Sequence, residues 1–136
     1  MKQFAVQDMQ GVASELVKKM PKTKVFTFTG PLGAGKTTMV QHMLKECGIT
    51  GPVQSPTYTY VSVYKLKDGT TFYHFDLYRL DTLDDFLEAG FEEYLYQPNS
   101  YCFIEWPEIM KSLLKDSACH VTLEYESNDT RSITIE

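Results

Sequence analysis

Residues Gly30 to Thr37 read G-P-L-G-A-G-K-T and satisfy the phosphate-binding pattern G-x-x-x-x-G-K-[ST] at every position. Each residue type does something that phosphate chemistry requires. Glycines let the backbone curl closely around a phosphate chain. Successive backbone N–H groups then form an anion nest, and the helix that follows presents its positive end. Lys36 brings a cation to β- and γ-phosphates, and the Thr37 hydroxyl is placed to ligate Mg²⁺.

Such a metal usually takes a carboxylate as well, from the end of an apolar strand. The chain offers two: Asp76, ending Phe72-Tyr73-His74-Phe75-Asp76, and Glu105, ending Tyr101-Cys102-Phe103-Ile104-Glu105. The second run is the more thoroughly apolar, as a central strand is. Glu105 is therefore a candidate Mg²⁺ ligand, directly or through water, with Asp76 acting on the attacking water or supporting the metal shell. Each acid also has a plain alternative as a solvated residue where a strand leaves the sheet. Ser55-Pro56-Thr57 places hydroxyls after the loop's helix, where a switch segment would reach the γ-phosphate. A bend fixed by Pro56 explains the same residues structurally.

The elements needed to position these groups are legible. Lys24 to Thr29 is rich in β-branched and aromatic residues, as a strand is. Thr38 to Cys47 carries Met39, Val40, Met43, Leu44 and Cys47 at helical spacing, and Gly48 ends it. Gln10 to Met20 is a further helix, closed by Pro21. Tyr58 to Leu66 and Thr71 to Phe75 form a hairpin around Asp68-Gly69. Asp81 to Glu88 is a short helix capped by Asp81 or Thr82, Phe91 to Tyr96 another helical piece, and Pro107 to Leu114 a helix. Cys119 to Glu126 and Ser132 to Glu136 make a last hairpin. A strand–loop–helix unit beside two hairpins implies an α/β fold of three layers, with a mixed parallel and antiparallel central sheet.

The 136 residues suit a single domain, with 43% hydrophobic content ordinary for a globular chain. Thirteen basic against eighteen acidic residues leave a net charge of −5, which argues against direct nucleic-acid binding. No apolar run is long enough to span a membrane, and the first residues lack the core of a signal peptide. Cys47, Cys102 and Cys119, like His42, His74 and His120, are scattered, which speaks against a disulfide framework or a zinc site and for a reducing cytoplasm.

G-P-L-G-A-G-K-T-T, S-P-T-Y-T-Y, Y-H-F-D-L-Y-R-L and I-E-W-P-E follow one another with the order and approximate spacing of the TsaE family, with E-A-G-F-E-E-Y-L between them similar as well. The resemblance runs from about Val25 to Glu108. It implies a bacterial ATPase needed to form threonylcarbamoyladenosine at position 37 of tRNAs that read codons starting with A. Such proteins act with TsaB and TsaD and meet tRNA only through that complex. Carried onto this chain, Leu32, Gly33, Ala34, Gly35, Lys36, Thr37 and Thr38 hold the phosphates of ATP. Thr57 lies in the switch-like segment, and Thr37, Asp76 and Glu105 surround Mg²⁺. Trp106, the only tryptophan, flanks the nucleotide or a partner surface, or packs in the core. The family usually carries a Ser or Thr near its adenine pocket. Val6 to Val12 has neither, and the expected adenine contacts fall near Val6 to Met9. Arg131 is a loosely aligned contact on the nucleotide or partner side.

A small-molecule P-loop kinase is the alternative from another class. Kinases gather several arginines around the transferred group, whereas this chain has only Arg79 and Arg131. No N-K-x-D segment supports a GTPase. A module whose ATP-bound shape is read by partners overlaps with the family's role.

Overall fold

The computed structural model describes residues 1–53, 56 and 59–136. Seven strands form one sheet: β1 (Lys2–Ala5), β2 (Val25–Thr29), β3 (Val61–Lys65), β4 (Thr71–Asp76), β5 (Ser100–Glu105), β6 (Cys119–Tyr125) and β7 (Thr130–Ile135), in the order β1-β7-β6-β2-β5-β4-β3. β6, β2, β5 and β4 run parallel, while β1, β7 and β3 join antiparallel at the edges. The mixed sheet expected from the sequence is present, and its central strands are buried on both faces, as parallel strands are.

Alternation sorts the side chains into two cores. Phe26, Phe28, Phe72, Phe103, Val121 and Leu123 face α1 (Met9–Val17) and α2 (Lys36–Glu46). Val25, Phe75, Cys102 and Ile104 face α3 (Leu83–Glu88) and a series of 3-10 turns. Three layers result. α1 begins one residue before the expected Gln10 and stops at Val17; Pro21 falls in a 3-10 turn over Met20–Lys22. Phe91–Tyr94 is a 3-10 turn, and the helix expected over Pro107 to Leu114 is two such turns, Pro107–Ile109 and Lys111–Leu113. Buried Pro107 and Met110 are three residues apart, which is the 3-10 repeat.

Register builds the site. Phe28, just before the end of β2, pairs with Glu105, and Glu105 pairs with Asp76. The phosphate-binding loop leaves β2 next to both acids. Gly30 has φ 149°, and a Cβ there would lie 2.1 Å from the Leu123 carbonyl oxygen. Only glycine lets the loop pass β6 so closely.

Candidate active site

The loop encloses a cavity of about 420 Å³ whose lining includes Leu32, Gly33, Gly35, Lys36, Thr37 and Thr38 from the loop and α2. Asp76, Tyr78 and Arg79 at the end of β4, and Glu105 and Trp106 at the end of β5, complete it. Ala34 buries its methyl in the core, and its N–H donates to the Pro31 carbonyl at 3.1 Å. Thr57 lies outside the described residues.

Lys36 opens α2 and is only 5% exposed. Its Nζ donates to the carbonyls of Gly30 at 2.5 Å and Pro31 at 2.9 Å. It also lies 4.1 Å from the centre of the Trp106 ring. Burial pulls its pKa below the ordinary lysine value, while the carboxylates of Glu105, Asp76 and Glu108 act in the opposite direction.

The Thr37 hydroxyl is shared between the two oxygens of Glu105, at 2.7 and 2.9 Å. Glu105 is 2% exposed and its Oε2 lies 2.6 Å from Nε2 of His74. Asp76 is buried beside it on the next strand, and its Oδ1 accepts the Tyr78 N–H at 3.1 Å. The two strand-end acids and the loop threonine are thus brought to one rim. Hydroxyl and carboxylate oxygens are hard donors suited to Mg²⁺, which takes one or two carboxylates and completes its shell with phosphate and water. Among the described residues no group of three or more His, Cys, Asp or Glu would hold a metal unaided. That donor set fits a cation carried by a nucleotide.

Trp106 follows Glu105 with φ 59° and ψ 58°, a left-handed conformation that costs a non-glycine residue about 1–3 kcal/mol. Its backbone N–H donates to the Phe28 carbonyl at 3.2 Å, and its ring centre sits 4.8 Å from that of Tyr78. The indole packs in part against the aromatic core, one of the places foreseen for it, and turns a face to Lys36. Strain of this kind collects at functional sites.

Two residues of the rim, and one buried behind it, carry no clear signal in the sequence. Tyr78 and Arg79 line the cavity because the turn after Asp76 keeps them there. His74 is one of three scattered histidines in the sequence, yet it shares its strand face with Asp76 and is fully buried. The spacing H-x-D at a strand end was the available signal. At the other end of the loop, Val6–Asp8 is a 3-10 turn whose Val6 N–H bonds the Asp129 carbonyl at 2.8 Å. Met9 packs beneath the loop, its Cε 3.0 Å from where a Gly35 Cβ would lie. Arg131 lies over the Tyr125 ring at 4.4 Å and donates to the Ser127 carbonyl at 2.7 Å, on the β6–β7 hairpin.

Residues 4–133 match the family model described as "Threonylcarbamoyl adenosine biosynthesis protein TsaE". The chain is 37% identical over 124 residues to the tRNA threonylcarbamoyladenosine biosynthesis protein TsaE of Haemophilus influenzae, covering 90% of this chain and 77% of that protein. It is 32% identical over 131 residues to the protein of the same name from Treponema pallidum, covering 96% and 95%. The crystal structure of Bacillus subtilis YdiB superposes with a TM-score of 0.69 at 28% identity, over 98% of this chain and 84% of that one. By this family match and these relatives, the chain belongs to the TsaE family of threonylcarbamoyladenosine biosynthesis proteins, on a P-loop NTPase fold.

Proposed function

We propose that this chain is the Mg²⁺-dependent ATPase of the bacterial machinery that forms N6-threonylcarbamoyladenosine at position 37 of tRNAs reading codons that start with A. In this reading it is a single cytoplasmic P-loop ATPase domain that acts with the TsaB–TsaD pair and meets tRNA only through that complex. The observation that carries the proposal is the Thr37 hydroxyl bound to both oxygens of Glu105 at the mouth of the phosphate loop.

Gly33, Gly35 and Thr38 would hold the phosphates, and Lys36 would exchange the Gly30 and Pro31 carbonyls for phosphate oxygens. Thr37 and Glu105 would hold Mg²⁺, which neutralises charge on the β- and γ-oxygens when bound. Asp76 stands beside Glu105, where it can orient a water or support the metal shell. Trp106 walls the cavity against Lys36. With Lys36 and Glu105 both buried, water screens their interactions with a bound phosphate or metal little.

Arg79 on the lining is the one feature that favours a kinase, and kinases usually bring several arginines to the transferred group. A rate-raising arginine supplied by a partner contributes about 10³–10⁵ in rate. The expected behaviour is therefore slow ATP hydrolysis alone and a clear rise with the TsaB–TsaD pair. Phosphate release measured with and without that pair tests this. Full activity alone, unchanged by the pair, would contradict the proposal.

A further inference from the structure

The β4 face that carries Asp76 also carries His74, and none of the roles above uses it. His74 is fully buried, so it touches neither the cavity nor anything bound in it. Its Nε2 lies 2.6 Å from Oε2 of Glu105, and its Nδ1 has no hydrogen-bond partner among the described residues. Phe72 lies two residues earlier on the same face, and Phe103 stands opposite His74 on β5, with the two rings stacked 6.2 Å apart. A leucine or phenylalanine would suit these walls without a polar cost. A buried nitrogen left without a partner is unfavourable. The contact with Glu105 is therefore the one polar interaction that accounts for an imidazole at this place.

Chemistry fixes the direction of that contact. An ionised carboxylate only accepts hydrogen bonds. Nε2 must then carry the hydrogen, and in the neutral ring Nδ1 is the bare nitrogen. Glu105 is held from two elements at once, by Thr37 on α2 and by His74 on β4. The hold from α2 belongs to a residue that itself faces the cavity. The hold from β4 is sealed inside the sheet and does not depend on what the cavity contains.

We infer that His74 is a positioning residue, whose Nε2–H fixes the Glu105 carboxylate facing Thr37 so that the metal-binding oxygens are set before a metal–nucleotide arrives. The inference rests on the reading of Thr37 and Glu105 as the Mg²⁺ end of an ATP site. Residues that orient a metal ligand from behind typically change metal affinity about 10–100-fold when replaced.

The test uses the full chain as wild type, His74→Phe and His74→Gln. ATP affinity is measured first without metal, and Mn²⁺ is then titrated onto the ATP-bound protein and followed by electron paramagnetic resonance. All three proteins should bind metal-free ATP alike. His74→Phe should bind Mn²⁺ about 10–100-fold more weakly, and His74→Gln, whose amide nitrogen donates from a similar reach, should recover most of the loss. Unchanged Mn²⁺ affinity in His74→Phe, or no recovery in His74→Gln, overturns the inference. Nitrogen NMR of the wild-type imidazole gives a second readout that needs no variant to fold: the hydrogen is expected on Nε2, and a ring protonated only at Nδ1 overturns the inference. If wild type bound neither ATP nor Mn²⁺, the ATP-site reading itself would fall, and the inference with it.

Discussion

The two faces of the sheet are covered differently. One carries α1 and α2, and Lys36, Thr37, His74, Asp76 and Glu105 point to it or rise from it. The other is covered by α3 and 3-10 turns around an aromatic cluster of Phe75, Phe86, Phe91 and Tyr94. Its two covering segments leave the sheet directly after Asp76 and Glu105 and return at β5 and β6. The regular helices thus hold the chemistry still, while the irregular cover hangs from the ends of the strands that bear the acids. A long helix suits the first task because its N-terminus supplies aligned N–H groups and a favourable dipole. Short turns suit the second because their stability comes from buried rings rather than from backbone regularity.

Substitutions on either face should separate stability from binding. Phe86→Ala removes a fully buried ring from the aromatic cluster, at a cost of about 3–5 kcal/mol of stability. Denaturant unfolding should show that loss, while ATP affinity of the folded protein stays within about twofold, since a factor of two is well under 1 kcal/mol. A parallel collapse of affinity would show that the faces are not independent. Lys36→Ala should do the opposite. Loss of a preorganised cation should weaken ATP binding and turnover about 10²–10³-fold. The unfolding midpoint should hold or rise, because the buried ammonium is already disfavoured by desolvation. Calorimetric binding beside thermal unfolding measures both quantities.

A smaller effect is expected at the edge of the aromatic cover. The Thr82 side chain accepts the Asp85 N–H at 3.1 Å and caps α3. Thr82→Ala should cost about 1 kcal/mol in denaturant unfolding and leave ATP hydrolysis unchanged. A larger loss, or a change in turnover, would mean that α3 is tied more closely to Asp76 than packing alone requires.

Much of this arrangement was legible in the chain because its signals are local. The loop pattern, the β-branched run before it and the helical spacing after it are contiguous, and they located β2 and α2 within two residues. Asp76 and Glu105 were found because acids that end apolar strands stand out. β1 was missed, since Lys-Gln-Phe-Ala is too short to show alternation and is made a strand by pairing with β7 at the far end of the chain. Pro107 to Leu114 read as a helix because apolar residues recur there; burial of Pro107 and Met110 three residues apart splits it into 3-10 turns instead. His74 was passed over because its partner is thirty-one residues away. The left-handed backbone of Trp106 comes with a bond from its N–H to the Phe28 carbonyl on another strand, which no local pattern records.

The pair of Thr37 and Glu105 is the centre of the proposed chemistry, and Glu105→Gln addresses it most directly. The amide keeps the shape and removes the charge. Mg²⁺-dependent ATP hydrolysis should be measured for wild type and Glu105→Gln side by side, with metal-free ATP affinity as the control. The expected result is equal metal-free affinity and turnover lowered about 10²–10³-fold in the variant, the loss typical of one electrostatic group at a reaction centre. Turnover at the wild-type rate in Glu105→Gln would contradict the assignment of Glu105 to the metal.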